Sequence, residues 1–295
     1  MPKYEWEEMR FVLDDITTLP TLPTVMINAI NIAFDPNSNI DTLYRLLKND
    51  PAITAQILRI VNSSYYATSK NIESLKMALV ILGLDEVVSI ITAISMADTL
   101  QVLGQAEAFD LREFWIHSVV VGEIAHTMLE YVDTTTESEL FTAGLLHDIG
   151  SILLATHFSE DYTRVHNIQA ETGKALHVVE QELLGFDHTK IGEYLAQRWN
   201  LPESLQRAIR YHHEPHKDEN PSIEIAMVYL ADRFAHMRDV GVGEWSEDQS
   251  LKNDFAWETV STLWQKHGKI PIDELAEQSV KSIEKARDKV QLMLF

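Results

Sequence analysis

The stretch LFTAGLLHDIGSILLATHF, residues 140–158, carries the strongest signal for the fold of this chain. Its apolar residues predict a buried helix, and His147 and Asp148 stand side by side in its middle. A polar side chain in an apolar setting needs a partner, because burying it unpaired costs free energy. Two interpretations follow for this pair: a buried hydrogen bond between its members, or two ligands of a metal ion.

The rest of the chain predicts helices as well. Between residues 84 and 94 the apolar side chains recur at steps of three and four, as one buried helical face requires. Asp50 and Pro51 mark the start of another helix, and Pro202 marks a third. Strand alternation is not sustained in any segment. We therefore predict an all-α fold, a two-lobed helical bundle.

Histidine divides the chain into two parts. All 12 histidines lie between His117 and His267, so any imidazole chemistry belongs to the second part. We predict an N-terminal helical lobe at residues 1–105, a helical metal-binding lobe at 106–240 and a C-terminal helical extension at 241–295.

The borders of these parts have weaker signals. Gly104 and a new helix near Asp110 place the join of the lobes within VLGQAEAFDLRE, residues 102–113. The acidic stretch GVGEWSEDQS, residues 241–250, is predicted to be a loop that leads to the C-terminal helices.

Charge and composition exclude several kinds of protein. Asp and Glu number 45 against 24 Lys and Arg, a formal charge of -21, so direct nucleic-acid binding is not expected. The start MPKYEWEEMR has no leader pattern, and no stretch reaches the roughly 20 apolar residues of a membrane span. We expect a cytoplasmic protein without a membrane contact. The chain has no cysteine, which excludes thiolate ligands.

A dispersed set of imidazoles and carboxylates forms the candidate metal site. Such ligands suit iron, manganese or zinc, and adjacent ligand pairs let one short segment serve two ions. The candidate ligands are Glu113, His117, His147, Asp148, His188, His212, His213 and Asp232.

Each candidate also has a structural explanation. Glu113 and His117, four residues apart on one helical face, could form a surface contact, and His188 could be a polar residue that opens a helix. His212 and His213 close a helix, where the helix dipole favours cations. Asp232 follows an apolar run, so it is expected to pair with Arg233 or with a cation.

The order of these motifs resembles the HD phosphohydrolase superfamily, and in particular its HDOD (HD-related output domain) family. The resemblance covers about residues 15–240. Its motifs in the first lobe are LPTLPTV (19–25), NDPAITAQILRIVNSSYY (49–66) and MALVILGLDEV (77–87). Those in the second lobe are FWIHS (114–118), AGLLHDIG (143–150) and DHTKIGEYLAQRWNLPESLQRAIRYHHEP (187–215).

The resemblance implies a bacterial signalling or regulatory protein with a retained metal centre, acting through ligand or protein binding. It implies divalent ions, two in number, with iron as the first choice and manganese or zinc as alternatives. One ion would be held by His117, His147, Asp148 and Asp232. Asp148 would bridge to a second ion held by His188, His212 and His213, with Glu113 nearby. The expected partner is an unknown signalling protein or a small phosphorylated ligand.

Two other functions stay open. The first is a metal-dependent phosphohydrolase or phosphodiesterase, in which the bridging Asp148 is the catalytic residue and two ions activate a water. The sequence is similar to the HD-GYP phosphodiesterases, which hydrolyse cyclic di-GMP. It departs from them because Ser151 replaces their lysine after HDIG, and no Gly-Tyr-Pro motif follows HHEP. The second is a metal-stabilised interaction scaffold.

A phosphodiester substrate needs cationic partners in addition to the metal ions. The basic residues close to the motifs are Lys190, Arg198, Arg207, Arg210 and Arg233. These residues could equally form ordinary surface pairs with acidic neighbours.

Overall fold

The structure is a computed structural model that describes residues 3–15, 23–63, 65–66, 71–103, 109–132, 139–238, 240, 255–268 and 270–294. All of its regular elements are helical, and no β-strand occurs within these ranges. The predicted all-α fold is confirmed. The join at 104–108 and the loop at 241–250 lie outside the described residues, so these two predictions stay predictions.

The described chain folds into α-helices with two short 3-10 turns, at Met128–Tyr131 and Pro215–Lys217. The helices are α1 (Trp6–Asp15), α2 (Thr24–Ala33), α3 (Ile40–Leu47), α4 (Pro51–Val61), α5 (Leu75–Leu82), α6 (Leu84–Leu103), α7 (Leu111–Thr127), α8 (Glu139–Leu146), α9 (Ile149–His157), α10 (Ser159–Thr172), α11 (Leu176–Leu184), α12 (His188–Arg198), α13 (Glu203–Tyr211), α14 (Ile223–His236), α15 (Phe255–Gln265) and α16 (Ile272–Leu294).

Side-chain caps start several of these helices. The Asp50 carboxylate accepts a hydrogen bond from the Ile53 N–H, and Pro51 takes the first position of α4, as predicted. Asp110 caps α7 in the same way, which confirms the predicted helix start there. Asp187 caps α12 and so fixes His188 as the first residue of that helix.

The apolar stretch at 140–158 is two helices rather than one. α8 ends at Leu146 and α9 begins at Ile149, so His147 and Asp148 occupy the turn between them. Gly150 lies directly after this turn, and a Cβ atom there would clash with the backbone oxygen of His188. The absence of a side chain therefore lets α9 and α12 pack closely, which brings Asp148 towards His188.

The helices form two packed groups. In the first lobe, α2 packs on α3 and α6, and α5 packs on α3, α4 and α6. In the second lobe, α7 packs on α8 and α14, and α12 packs on α9 and α13. A continuous apolar core runs through both groups and includes the fully buried Trp115, Tyr162 and Phe234.

The N-terminal residues contact the second lobe. Lys3 Nζ lies 2.7 Å from Asp161 Oδ2, and Tyr4 donates a hydrogen bond to the same carboxylate. At the end of α1, Asp14 Oδ1 accepts a hydrogen bond of 2.5 Å from Tyr194. The predicted lobe boundaries stay predictions, but the start of the chain is tied to α10 and α12.

The C-terminal helix α16 links the two lobes. It packs along α7 and also contacts α4, α6 and α14. Its buried Lys289 lies 2.7 Å from Glu123 Oε1 on α7 and 3.0 Å from Glu86 Oε1 on α6. The same ammonium lies over the ring of Phe141 on α8, 4.4 Å from its centroid. One charged side chain thus contacts three helices from both lobes.

In the part of the chain that the structure describes, no single helix is long and apolar enough to cross a membrane. Among the described helices, one pair has such a length and composition when taken together, α5 with Leu84–Ser95 of α6, and the two are bent by 108° with respect to each other.

Candidate metal centre

Five elements of the second lobe bring the predicted ligands together. His117 lies in the middle of α7, His147 and Asp148 in the α8–α9 turn, and His188 at the start of α12. His212 and His213 follow the last turn of α13, and Asp232 lies on the last turns of α14. All seven side chains converge, although up to 115 residues of sequence, from 117 to 232, separate them.

The first ligand group contains His117, His147, Asp232 and the Oδ2 atom of Asp148. The Nε2 atom of His117 lies 3.2 Å from Asp232 Oδ1 and 3.2 Å from His147 Nε2. His147 Nε2 lies 3.3 Å from Asp148 Oδ2 and 3.7 Å from Asp232 Oδ1. These four side chains are buried, except that the Asp148 side chain is 18% exposed.

The second ligand group contains His188, His212, His213 and the other oxygen of Asp148, Oδ1. This oxygen lies 3.1 Å from His188 Nε2 and 3.4 Å from His212 Nε2. His188 Nε2 lies 3.1 Å from His213 Nε2. Asp148 therefore turns one oxygen towards each group, which is the arrangement of a bridging carboxylate.

The far nitrogen of several rings is held by the protein. His117 Nδ1 lies 2.9 Å from the Val240 carbonyl oxygen, His147 Nδ1 lies 2.6 Å from that of Gly144, and His212 Nδ1 lies 2.9 Å from that of Ile209. A carbonyl oxygen only accepts, so each Nδ1 carries the proton and donates it. Each Nε2 atom is thereby directed into the site, where it can bind a metal ion in place of a proton, as in metal-ligating histidines.

This arrangement requires a cation. With both Nδ1 atoms donating to carbonyls, the Nε2 atoms of His117 and His147 face each other 3.2 Å apart, so a shared proton or a metal ion must lie between them. Asp148 Oδ1, Asp232 Oδ1 and His212 Nε2 are buried and make no hydrogen bond among the described residues. Two donors that share one ion at about 2.1 Å lie about 3.0 to 3.4 Å apart, for octahedral to tetrahedral angles. The observed separations fit divalent ions between these atoms.

The electrostatics of the protein without metal support the same conclusion. Burial opposes charge on His147, but the carboxylates of Asp148 and Asp232 outweigh it and raise the His147 pKa to about 10. Burial also opposes charge on the two carboxylates, yet the neighbouring histidines hold the pKa of Asp148 and of Asp232 well below the usual range. The site thus retains negative charge and attracts protons or metal cations.

The two histidines that follow α13 behave as neutral ligands. Burial lowers the pKa of His212 and, aided by the neighbouring histidines, holds that of His213 well below its usual value. The helix-dipole explanation required them to be cationic, so it does not describe them. Neutral imidazole is the form that binds a metal ion.

The structure bears on two further predicted features. Glu113 lies on the exposed first turn of α7, and the groups of converging ligand atoms do not include it. Its role as a ligand stays a prediction. Asp232 pairs with histidines, while the guanidinium of Arg233 lies 5.9 Å from the ring centroid of Tyr229.

Three further residues lie at the site and were not predicted from the sequence. His236 Nε2 lies 3.3 Å from Asp232 Oδ1, and its position four residues after Asp232 was a usable signal. The buried Glu180 accepts hydrogen bonds from both the backbone N–H and the Nδ1 of His188. His177 stacks on His213, with centroids 4.3 Å apart. No periodicity or spacing in the sequence distinguishes Glu180 or His177 from their neighbours.

The basic side chains that could bind a phosphate contact other residues of the protein. Each contacts an acidic or aromatic side chain outside the two ligand groups. The pairs are Arg198 with Asp14 at 3.3 Å, Arg207 with Asp218 at 2.8 Å, Arg210 with Glu193 at 3.5 Å, Lys190 over the ring of Trp6 at 4.6 Å and Arg233 over Tyr229 at 5.9 Å.

Comparisons with known proteins agree with the helical fold. A model of the HDOD domain family matches residues 19–215. The chain is similar to an HDOD domain protein of unknown function from Geobacter sulfurreducens, with 26% identity, a TM-score of 0.83 and coverage of 96% of both chains. It is also similar to a candidate phosphohydrolase from Shewanella amazonensis SB2B, with 23% identity and a TM-score of 0.69, over 96% of this chain and 98% of that one.

A curated relative is longer than this chain. An uncharacterized protein from Treponema pallidum (strain Nichols) is 26% identical over 230 residues, which are 77% of this chain and 44% of the relative. The chain therefore matches less than half of the length of that protein.

Proposed function

The chain belongs to the HDOD domain family, and we propose that it is a regulatory protein whose state is set by a two-ion metal centre in its second lobe. One observation carries the proposal: Asp148 turns Oδ1 towards one histidine group and Oδ2 towards another, at 3.1 Å and 3.3 Å from the nearest imidazole nitrogens. A carboxylate in this position joins two ions into one unit.

Each ligand group would hold one ion. The first would lie among His117, His147, Asp232 and Asp148 Oδ2, and the second among His188, His212, His213 and Asp148 Oδ1. Mixed imidazole and carboxylate ligands suit iron, which is our first choice, and also manganese or zinc.

Two observations favour regulation over catalysis. The centre is nearly enclosed, since its most exposed ligands, Asp148 and His213, have side chains that are 18% and 16% exposed. The basic residues that a phosphodiester would need pair with other side chains. The helix that carries His117, α7, packs against α16, so a change at the metal centre has a direct path to both lobes.

The partner in this proposal is a signalling protein or a small phosphorylated ligand, in the cytoplasm of a bacterium. The acidic charge of -21 argues against direct nucleic-acid binding.

Hydrolysis of a phosphoester is the second candidate function. Its support is the partial exposure of Asp148 and His213, which leaves one open edge at the second ligand group. When bound, two ions would neutralise a phosphate and lower the pKa of a water. In this function Asp148 would hold the two ions in a fixed relation at the reacting group.

Hydrogen exchange of the metal-loaded and metal-free protein tests the regulatory role. We expect protection to change in the first lobe or in α16 as well as near the ligands, and we expect Asp148→Ala to abolish the change. Asp15→Ala, at the exposed end of α1, is the matched control and should respond like the wild type. A change confined to the ligand-bearing segments would contradict regulation and favour a metal-stabilised scaffold.

The same preparations distinguish the second function. Metal-dependent cleavage of bis(p-nitrophenyl) phosphate by the wild type, absent in Asp148→Ala, would favour hydrolysis. No cleavage under any metal supply is the result that the regulatory proposal predicts.

A further inference from the structure

His236 extends the first ligand group. It lies on α14 one helical turn after Asp232, so both side chains point to the same side of the helix. Its Nε2 atom lies 3.3 Å from Asp232 Oδ1, and its ring centroid lies 4.9 Å from that of His117. The side chain is 11% exposed. His117, Asp232 and His236 each bring one ligand atom within 4.8 Å of the others.

We propose that His236 is a further protein ligand of the ion held by His117 and Asp232. The inference rests on the proposed metal centre and adds a residue to it. It also implies that the two ions differ in the number of protein donors that hold them.

The surroundings of Asp232 Oδ1 support a shared ion. This oxygen lies 3.2 Å from His117 Nε2, 3.3 Å from His236 Nε2 and 3.7 Å from His147 Nε2. This buried oxygen has no hydrogen-bond partner among the residues that the structure describes. Separations of 3.2 and 3.3 Å fall within the range of about 3.0 to 3.4 Å that two ligands of one ion show.

With the imidazole of His236, the two ion positions differ in their number of protein donors. The first ligand group would supply five donor atoms with His236, whereas the second supplies four, from Asp148, His188, His212 and His213. Metal sites closed by protein ligands serve structure, and sites with an open position bind exogenous ligands. For ions of equal coordination number, the second group would thus leave one more position free than the first, and we expect an anion such as phosphate to bind there.

The exposure of the ligands agrees with this assignment. Apart from Asp148, which both groups share and which is 18% exposed, the most exposed ligand is His213 of the second group at 16%, followed by His236 of the first at 11%. An anion that approaches from solvent thus meets the second ligand group at its open edge.

Nitrogen NMR of the protein loaded with cadmium-113 tests the ligation directly. With 15N-labelled histidine, a nitrogen bound to cadmium-113 shows a one-bond splitting. We expect a split signal from His236 Nε2, assigned by its loss in His236→Gln. An unsplit His236 signal in a protein whose His117 signal is split would overturn the inference.

Matched variants separate ligation from a simple hydrogen bond. In His236→Gln an amide N–H can donate to Asp232, so this variant can supply a hydrogen bond but not the imidazole. We expect its affinity for the first cadmium-113 ion to fall at least about 100-fold. His267→Ala, at the end of α15, should bind like the wild type. Wild-type affinity in His236→Gln would overturn the inference.

Failure of the inference differs from failure of the metal centre. A wild-type protein that binds two cadmium ions with only His236 unsplit would contradict the extra ligand and leave the proposed centre intact. A wild-type protein that binds no cadmium would overturn both.

Discussion

His188 differs from the other imidazoles of the candidate metal centre in the group that binds its Nδ1 atom. Its Nδ1 lies 2.6 Å from the Glu180 carboxylate, whereas His117, His147 and His212 contact backbone carbonyls. Burial opposes charge on His188, but Glu180 and Asp148 raise its pKa well above the usual value. A carboxylate behind an imidazole makes that imidazole a more basic ligand.

Replacing Glu180 with Gln should weaken the second ion selectively. The amide oxygen can still accept the hydrogen bonds from His188, but the negative charge is lost. We expect the affinity of the second ligand group to fall about 10-fold to 100-fold, with the first group unchanged. Titration calorimetry with zinc measures both affinities.

Glu182→Gln on the same helix is the matched control. Glu182 is 54% exposed and pairs with Lys174, so its loss should leave both affinities at the wild-type value. Equal weakening of both ions in Glu180→Gln would show that Glu180 stabilises the lobe rather than His188.

At the scale of helices, the close contact between α9 and α12 positions Asp148 beside His188 and so brings the two ligand groups together. Gly150 permits it, and a Cβ atom at this position would also lie 2.7 Å from the backbone nitrogen of Gly192. Backbone atoms in two packed helices cannot move aside as a flexible side chain can.

Gly150→Ala should therefore destabilise the protein by at least about 1 to 3 kcal/mol and reduce binding of the second ion. Chemical denaturation gives the free energy of unfolding, and elemental analysis gives the metal content. In Gly173→Ala the added carbon meets open space at a left-handed residue, so only a backbone cost and full metal content are expected. Full metal content in Gly150→Ala would contradict the role of this contact.

The buried charge cluster of α16 is a second element-scale feature. Lys289 is 2% exposed and pairs with Glu123, which is also 2% exposed. Replacing Lys289 with Met leaves Glu123 buried with only the half-exposed Lys285, 3.0 Å away, as its partner. We expect a loss of about 3 to 5 kcal/mol in the free energy of unfolding, because the half-exposed Lys285 compensates the buried Glu123 charge only in part.

The double variant Glu123→Gln with Lys289→Met removes both buried charges and should recover much of that loss. Lys281→Met, at an exposed position of the same helix, should change the unfolding free energy little. A single Lys289→Met variant as stable as the wild type would show that the cluster does not hold α16 to α7.

The pH dependence of stability follows from the same pair. Burial opposes both charges, but Lys289 and Lys285 lower the pKa of Glu123, and Glu86 and Glu123 raise that of Lys289. The Glu123 contribution is complete above its ordinary value of 4.5 and is lost as the pH falls through its lowered pKa. The Lys289 contribution is complete below 10.5 and is lost as the pH rises through its raised pKa.

The stability difference between the wild type and the double variant should thus be constant from about pH 5 to pH 10. Below and above this pH range, the wild type should lose stability relative to the double variant. Urea denaturation across this range measures the difference, and a slope near neutral pH would contradict the assignment of fixed charges.

At the scale of the whole molecule, the sequence predicted the helical fold and its family because helix periodicity and motif order are local signals. It did not separate α8 from α9, since the turn at His147 and Asp148 is apolar on both sides. Packing against His188, 38 residues away from Gly150, determines that turn.

The candidate site likewise depends in part on tertiary packing that local sequence patterns do not encode. Seven of the eight predicted ligands converge, because adjacent histidine and aspartate residues in apolar segments mark buried polar groups. His236 lies four residues after Asp232, which is the same spacing that suggested Glu113 beside His117. Only tertiary packing decides whether a residue at that spacing faces the site. Glu180 depends on contact between α11 and α12, which no local pattern encodes.

Metal content of the purified protein tests the central claim most directly. The protein is expressed with iron, manganese or zinc, purified without chelator and measured by elemental analysis beside Asp148→Ala. The proposed centre predicts about two ions per wild-type chain, one for each ligand group, and loss of both in the variant because Asp148 lies between both groups. A wild-type chain without metal under every supply, or an Asp148→Ala variant that keeps two ions, would contradict the bridged two-ion centre.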